Sequence, residues 1–161
     1  MMRKLSLLAA ALAFSTGALA GAADQISVQD PYVRLAPPGA PATGAFMVIK
    51  NNGDKDVKLV KADNPASKVT ELHNHINDNG VMRMRQVPAI EIPAKGEAVL
   101  KPGGLHVMLI DMKAPLSEGQ VVPITLGFDD GSSKVVEVKV QKVMPAAMPA
   151  AAPMQHGQHH H

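Results

Sequence analysis

From Ile26 onward, short runs of Val, Ile, Leu and Thr alternate with Gly, Pro, Asn and Asp, and no run sustains a 3.6-residue apolar period. This punctuation restricts the chain to short strands joined by tight turns. Strands are predicted over 26–28 with 32–34, 44–51, 57–62, 68–76, 81–87, 98–101, 106–112, 122–128 and 134–141. Turn signals separate them at Ala36-Pro37-Pro38-Gly39, Asn52-Gly53, Asp78-Asn79-Gly80, Pro102-Gly103-Gly104 and Asp129-Asp130-Gly131. Many short strands at this spacing form an antiparallel sandwich or barrel. Asp78-Asn79-Gly80 between two alternating runs marks a hairpin that pairs 68–76 with 81–87.

Both ends of the chain read differently. Met1–Lys4 is a short basic stretch, an apolar run follows to Ala13, and Ala18-Leu19-Ala20 has the small-x-small pattern of a signal-peptidase site. The apolar run is too short for a membrane span. Residues 1–22 are therefore expected to be a signal peptide cut after Ala20 or Ala22, with no stable membrane insertion of the mature chain. Residues 23–142 form one expected domain. Residues 143–161, rich in Met, Pro, Ala, Gln and His without apolar periodicity, are expected to be a disordered Met/His-rich tail.

Charge and composition then exclude whole classes of function. The chain has 16 Lys+Arg and 14 Asp+Glu; removing Arg3 and Lys4 with the leader leaves 14 against 14. No basic surplus remains to attract nucleic acid or anionic lipid. The chain has no Cys, so disulfides, thiolate metal sites, thiol nucleophiles and a blue-copper centre are all ruled out for this sequence. Soft-metal chemistry has to use thioethers, and the chain has ten Met and seven His beside four aromatic residues.

Candidate ligands concentrate in Glu71-Leu72-His73-Asn74-His75, Val81-Met82-Arg83-Met84-Arg85 and Leu105-His106-Val107-Met108. Residues two apart on a strand share a face, roughly 6.5–7 Å apart, so His106 and Met108 can converge, as can Met82 and Met84. Thioethers with neutral imidazoles form a soft, uncharged set suited to Cu(I) and poorly suited to Mg(II), Ca(II) or Mn(II). The structural reading competes with this one: Met is a common gap-filler in cores, and a lone His is usually a surface or satisfied buried residue. Spacing, secretion and the lack of Cys leave the two readings open.

Ten residues separate His73 from Met84 and twenty-one separate Met84 from His106-Val107-Met108. With Ala42-Thr43-Gly44-Ala45-Phe46-Met47, Gly80-Val81-Met82-Arg83-Met84-Arg85 and Lys101-Pro102-Gly103-Gly104-Leu105-His106-Val107-Met108-Leu109, this pattern resembles the periplasmic PCu(A)C-type copper chaperones across roughly residues 24–141. The resemblance implies a cupredoxin-like, Greek-key β-sandwich and His73, Met84, His106 and Met108 as Cu(I) ligands. It also implies a periplasmic location and delivery of copper to an acceptor such as a cytochrome oxidase subunit or another copper chaperone, in oxidase assembly. Where some members have Met after the first His, this chain has Asn74, which in a regular strand faces the other way. His75 and Met82 share faces with proposed ligands and are candidates for a secondary role, whereas Met112 is expected in the core. In the tail, His156, His159, His160 and His161 suit Cu(II), and Met144, Met148 and Met154 suit Cu(I). The expected function is a carrier, not an enzyme. The alternatives are periplasmic copper storage or sequestration, and an interaction sandwich that binds no metal.

Overall fold

The computed structural model describes residues 21–143. They form ten strands: β1 Ile26–Arg34, β2 Ala42–Asn51, β3 Val57–Asp63, β4 Ser67–Asp78, β5 Val81–Gln86, β6 Ile90–Ile92, β7 Glu97–Leu100, β8 His106–Met112, β9 Val121–Phe128 and β10 Ser133–Gln141. A single 3-10 turn, Ala22–Gln25, precedes β1. The all-β expectation holds, and each predicted strand is present with slightly shifted ends. β6 is the exception. Its three residues lie between Pro88 and Pro93, too few to display an alternation in sequence.

The strands pair in the order β5-β4-β8-β2-β1-β10-β9-β3-β6, with β7 also on β2. Neighbours such as β4 and β8, β8 and β2, and β9 and β3 are far apart in sequence, as in a Greek-key arrangement. The path curls back until β6 meets β7 and β2, and β3 meets β4. Its inward faces enclose a core that includes Ile49, Leu59, Ile92, Val107, Leu109, Ile124, Leu126, Val138 and Val140, all fully buried. One junction differs from the antiparallel expectation: β1 and β10 pair in parallel over Tyr32–Arg34 and Lys139–Gln141, so the sheet is mixed. These are the first and last strands, and a parallel pair needs no hairpin between its members.

Two local features place the outer strands around β4 and β2. The β4–β5 turn has Asn79 at φ 51° and Gly80 at φ 85°, the two positive values of a type I′ turn that matches strand twist. The Asn77 Oδ1 accepts the Gly80 N–H at 2.7 Å. The second feature lies along β2, where β7 covers Met47–Lys50 and β8 covers Ala42–Ala45. β7 and β8 are thus successive strands on the same side of β2, and the chain loops out between them at Lys101–Leu105, closed by Lys101 N–H to Leu105 O at 2.9 Å and Gly104 N–H to Lys101 O at 3.0 Å.

At the far end of the core, Asn51 is 2 % exposed. Its amide donates to Lys55 O at 2.7 Å and Ile92 O at 3.1 Å, and its Oδ1 accepts the Gly53 N–H at 2.9 Å. Asn51→Asp keeps the acceptor but turns the donor into a carboxylate oxygen facing two carbonyls. The expected loss in urea denaturation is about 2–4 kcal/mol, from the unmatched buried carbonyl and the charge placed against it.

Candidate metal centre

Strand parity divides β4 and β8 into two faces. Leu72, Val107 and Leu109 point into the core, so their neighbours His73, His106 and Met108 lie on the opposite face. The register aligns those faces. His73 is opposite His106, and Glu71 is opposite Met108. On the other side of β4, His75 is opposite Met84 and Asn77 opposite Met82. One sheet face therefore carries Glu71, His73, His75, Met82, Met84, His106 and Met108.

A cavity of about 260 Å³ opens on this face, and His75, Met84, His106 and Met108 line it together with Phe46 and Gly103 of the Lys101–Leu105 loop. His73 is beside this cavity rather than in its lining: its ring centroid is 5.8 Å from that of His106, while that of His75 is 5.3 Å away. Met82 is 55 % exposed and lies toward the hairpin turn, away from the cavity. Met84 is 40 % exposed on the outermost strand, so it is not a core filler. Met112 packs against the core, as expected from the sequence. Met144, Met148, Met154, His156, His159, His160 and His161 lie outside the described residues.

Hydrogen bonding assigns the imidazole tautomers. His106 Nδ1 is 3.0 Å from Gly104 O, which can only accept, so Nδ1 carries the proton and Nε2 keeps a lone pair. His73 Nε2 is 2.6 Å from Glu71 Oε2, and donation to the carboxylate leaves the lone pair on Nδ1. His106 Nε2, His73 Nδ1 and His75 Nδ1 are buried without a hydrogen-bond partner. They are the three such side-chain nitrogen or oxygen atoms among the described residues. An unmatched buried polar atom costs about 1–3 kcal/mol; no group of three His, Asp or Glu side chains among the described residues could hold a metal by itself, so a metal on this face would also need the thioethers of Met84 and Met108. The second ring nitrogen tied to a carbonyl or carboxylate is the usual outer support of a ligating His.

Sequence reasoning gives Glu71 no role of its own, although Glu-x-His on one strand places both side chains on one face, where the carboxylate meets His73 Nε2. It also misses Phe46. The Phe46 ring lies 6.0 Å from His106 and 5.2 Å from Tyr32, with the Arg34 guanidinium 5.2 Å above it. A Cβ on Gly44 would meet that ring at 2.9 Å, so glycine is what lets Phe46 lie across β2 beside the cavity.

Known proteins resemble this chain in sequence and in fold. The family described as "Putative lipoprotein LpqE-like" matches residues 26–140. "Putative lipoprotein Lxx21020" of Leifsonia xyli subsp. xyli (strain CTCB07) is 38% identical over 120 residues, spanning 74% of this chain and 71% of that protein. The solution structure of CuI-DR1885 from Deinococcus radiodurans is 35% identical with a TM-score of 0.60, over 79% of this chain and 83% of that one. The copper-bound PCuAC domain from PmoF2 shares the fold, with a TM-score of 0.63 at 20% identity over 74% of this chain and 94% of that one. The chain belongs to the LpqE-like family of PCuAC, copper-chaperone-like proteins.

Burial depresses the His106 pKa below its ordinary 6.5; the Gly104 hydrogen bond opposes this, and His75, His73 and Arg34 add to it. The unfolded chain therefore takes up a proton near 6.5 while folded His106 stays neutral, so its contribution to stability is complete above 6.5 and is lost as the pH falls below it. The urea midpoint is expected to fall between about pH 7.5 and about pH 5.5, and to fall less in His106→Leu. Equal slopes for the two proteins would contradict the assignment.

Proposed function

We propose that this chain carries Cu(I), with His73, Met84, His106 and Met108 as ligands, and hands it to an acceptor protein without catalysing a reaction. The observation that carries this reading is the cluster of buried, unpartnered imidazole nitrogens on the sheet face that also presents Met84 and Met108. The donors are neutral and soft, which matches Cu(I). Support also comes from the copper named in the structures of DR1885 and of the PmoF2 domain.

Transfer is a ligand exchange. A thioether, imidazole or thiolate of the acceptor forms a bond to copper as the bond to Met84 breaks, and the oxidation state does not change. Met84 suits the first step because it is exposed on the outermost strand. The proposed acceptor is a cytochrome oxidase subunit, or another copper chaperone in oxidase assembly.

The proposed compartment is the periplasm, reached after loss of the leader. The leader is proposed to be cut after Ala20 or Ala22; in the folded domain the Ala22 N–H donates to Asp130 Oδ2 at 2.7 Å and the Ala23 N–H to Ser132 Oγ at 3.0 Å. A cut after Ala20 keeps the first contact in the mature chain. The tail histidines and methionines are proposed as a capture site for incoming copper, including Cu(II). No helix among the described residues is long and apolar enough to cross a membrane.

Met84→Leu combined with Met108→Leu preserves volume and removes both sulfurs. Cu(I) affinity in a chelator-competition titration is expected to fall more than about 100-fold, beyond what loss of an outer-shell partner produces, with the far-UV spectrum unchanged. Undiminished affinity would remove both residues from the site. Deleting the gene is expected to lower oxidase activity under copper scarcity. Sensitivity to excess copper with normal oxidase would point to sequestration instead.

A further inference from the structure

We infer that Arg34 is a specificity-determining residue of the cavity on the β4–β8 face: its fixed positive charge discriminates against divalent cations and so favours Cu(I). This inference rests on the copper-carrier reading and deepens it by naming what selects the charge of the cargo.

Arg34 lines the cavity together with Met84, His106 and Met108, and it is the one charged residue in that lining among the described residues. Strand parity puts it there. Val33 is fully buried in the core, so Arg34 projects from the opposite face of β1. Val33 pairs with Ala45, and Gly44 pairs with Met108, so Arg34 stands across β2 from Met108 at the level of a glycine. Its guanidinium lies 5.2 Å from the centroid of the buried Phe46 ring, which is itself beside His106. A cation–π contact of this kind holds the charge at the cavity. Arg34 forms no ion pair among the described residues. The carboxylate on the same face, Glu71, is opposite Met108 on β4, bonded to His73, and outside the lining.

Donor type alone leaves a gap that this charge fills. Imidazole is a good ligand for Zn(II) and Cu(II) as well as for Cu(I), so His106 does not by itself exclude divalent ions. The energy of an ion beside a fixed charge scales with the ion's own charge. Repulsion by Arg34 is therefore twice as large for a divalent ion as for Cu(I) at the same place, and no carboxylate in the lining offsets it. Arg34 is exposed, so water reduces the repulsion to a modest factor rather than a block. His106 registers the same charge: burial is the main cause of its lowered pKa, and Arg34 adds to it.

The test uses the full chain with His156, His159, His160 and His161 changed to Ala, which removes imidazoles outside the fold from the Zn(II) count. Cu(I) and Zn(II) affinities are read by chelator competition in that parent and in its Arg34→Leu, Arg34→Gln and Arg34→Lys forms, their folding checked by circular dichroism. Arg34→Leu is expected to strengthen Zn(II) binding about tenfold and Cu(I) binding about threefold, so that the logarithms stand near two to one. Arg34→Gln should match it, which separates a lost charge from a gained donor, and Arg34→Lys should stay within about twofold of the parent. Both gains should shrink as sodium nitrate is raised from about 0.05 to about 0.5 M, a response that a merely structural role would not give. Zn(II) uptake by the folded Leu and Gln forms no greater than by the parent would overturn the inference, as would an equal factor for both metals. A parent that binds Cu(I) without this charge dependence sinks only the inference about Arg34, whereas a parent that takes up no Cu(I) sinks the carrier reading.

Discussion

The register between β4 and β8 is the constraint on which the rest depends. Pairing His73 with His106 places Leu72 and Val107 together in the core and their neighbours together on the opposite face. A slip of one residue would turn the imidazoles into an apolar interior and expose Leu72. Leu109, Val107 and Leu72 thus enforce the alignment of the polar cluster behind them, so packing of the sandwich and geometry of the candidate site are one requirement. The type I′ turn at Asn79-Gly80 extends that alignment to β5, since its two-residue length sets Met84 opposite His75.

The Lys101–Leu105 loop has a different part. Where β7 gives way to β8, β2 lacks a neighbour on that side only at Phe46, and the excursion between the two strands brings Gly103 over the face where His106 lies. His106 is thereby 2 % exposed although it points away from the core. Phe46 closes another side, held by Tyr32 and Arg34 and admitted by the missing side chain at Gly44. Shielding that cluster raises the cost of charging His106, as its depressed pKa records. The neutral ring is the form that offers a lone pair to a metal.

Much of this architecture is legible in sequence. Alternating runs and Gly/Asn/Asp turns locate nine of the ten strands, and Asp78-Asn79-Gly80 identifies the hairpin because its φ values demand those residues. The parallel β1–β10 pairing is not legible, since it joins the two ends of the domain and leaves no local pattern. β6 is too short to read. For the candidate site, two-residue parity places His106 with Met108 on one face, but parity treats His73 and His75 alike. Only the cross-strand neighbours distinguish them, and those depend on which distant strand packs beside β4. Glu71 escapes notice for a related reason: an acidic residue two before a His gains meaning only when both point into a partly enclosed space.

The position of β5 at the end of the sheet has a kinetic consequence. β4, β8 and β2 each have neighbours on two sides, whereas β5 is paired on one side only. Local opening of a strand held by a single ladder is less costly than opening one held by two. A metal shared by β4, β5 and β8 would therefore see its donors depart in a set order, with the thioether of the peripheral strand free to swing aside while the two inner strands keep their geometry. Such an arrangement separates holding tightly from letting go quickly, because the first depends on the interior of the sheet and the second on its margin.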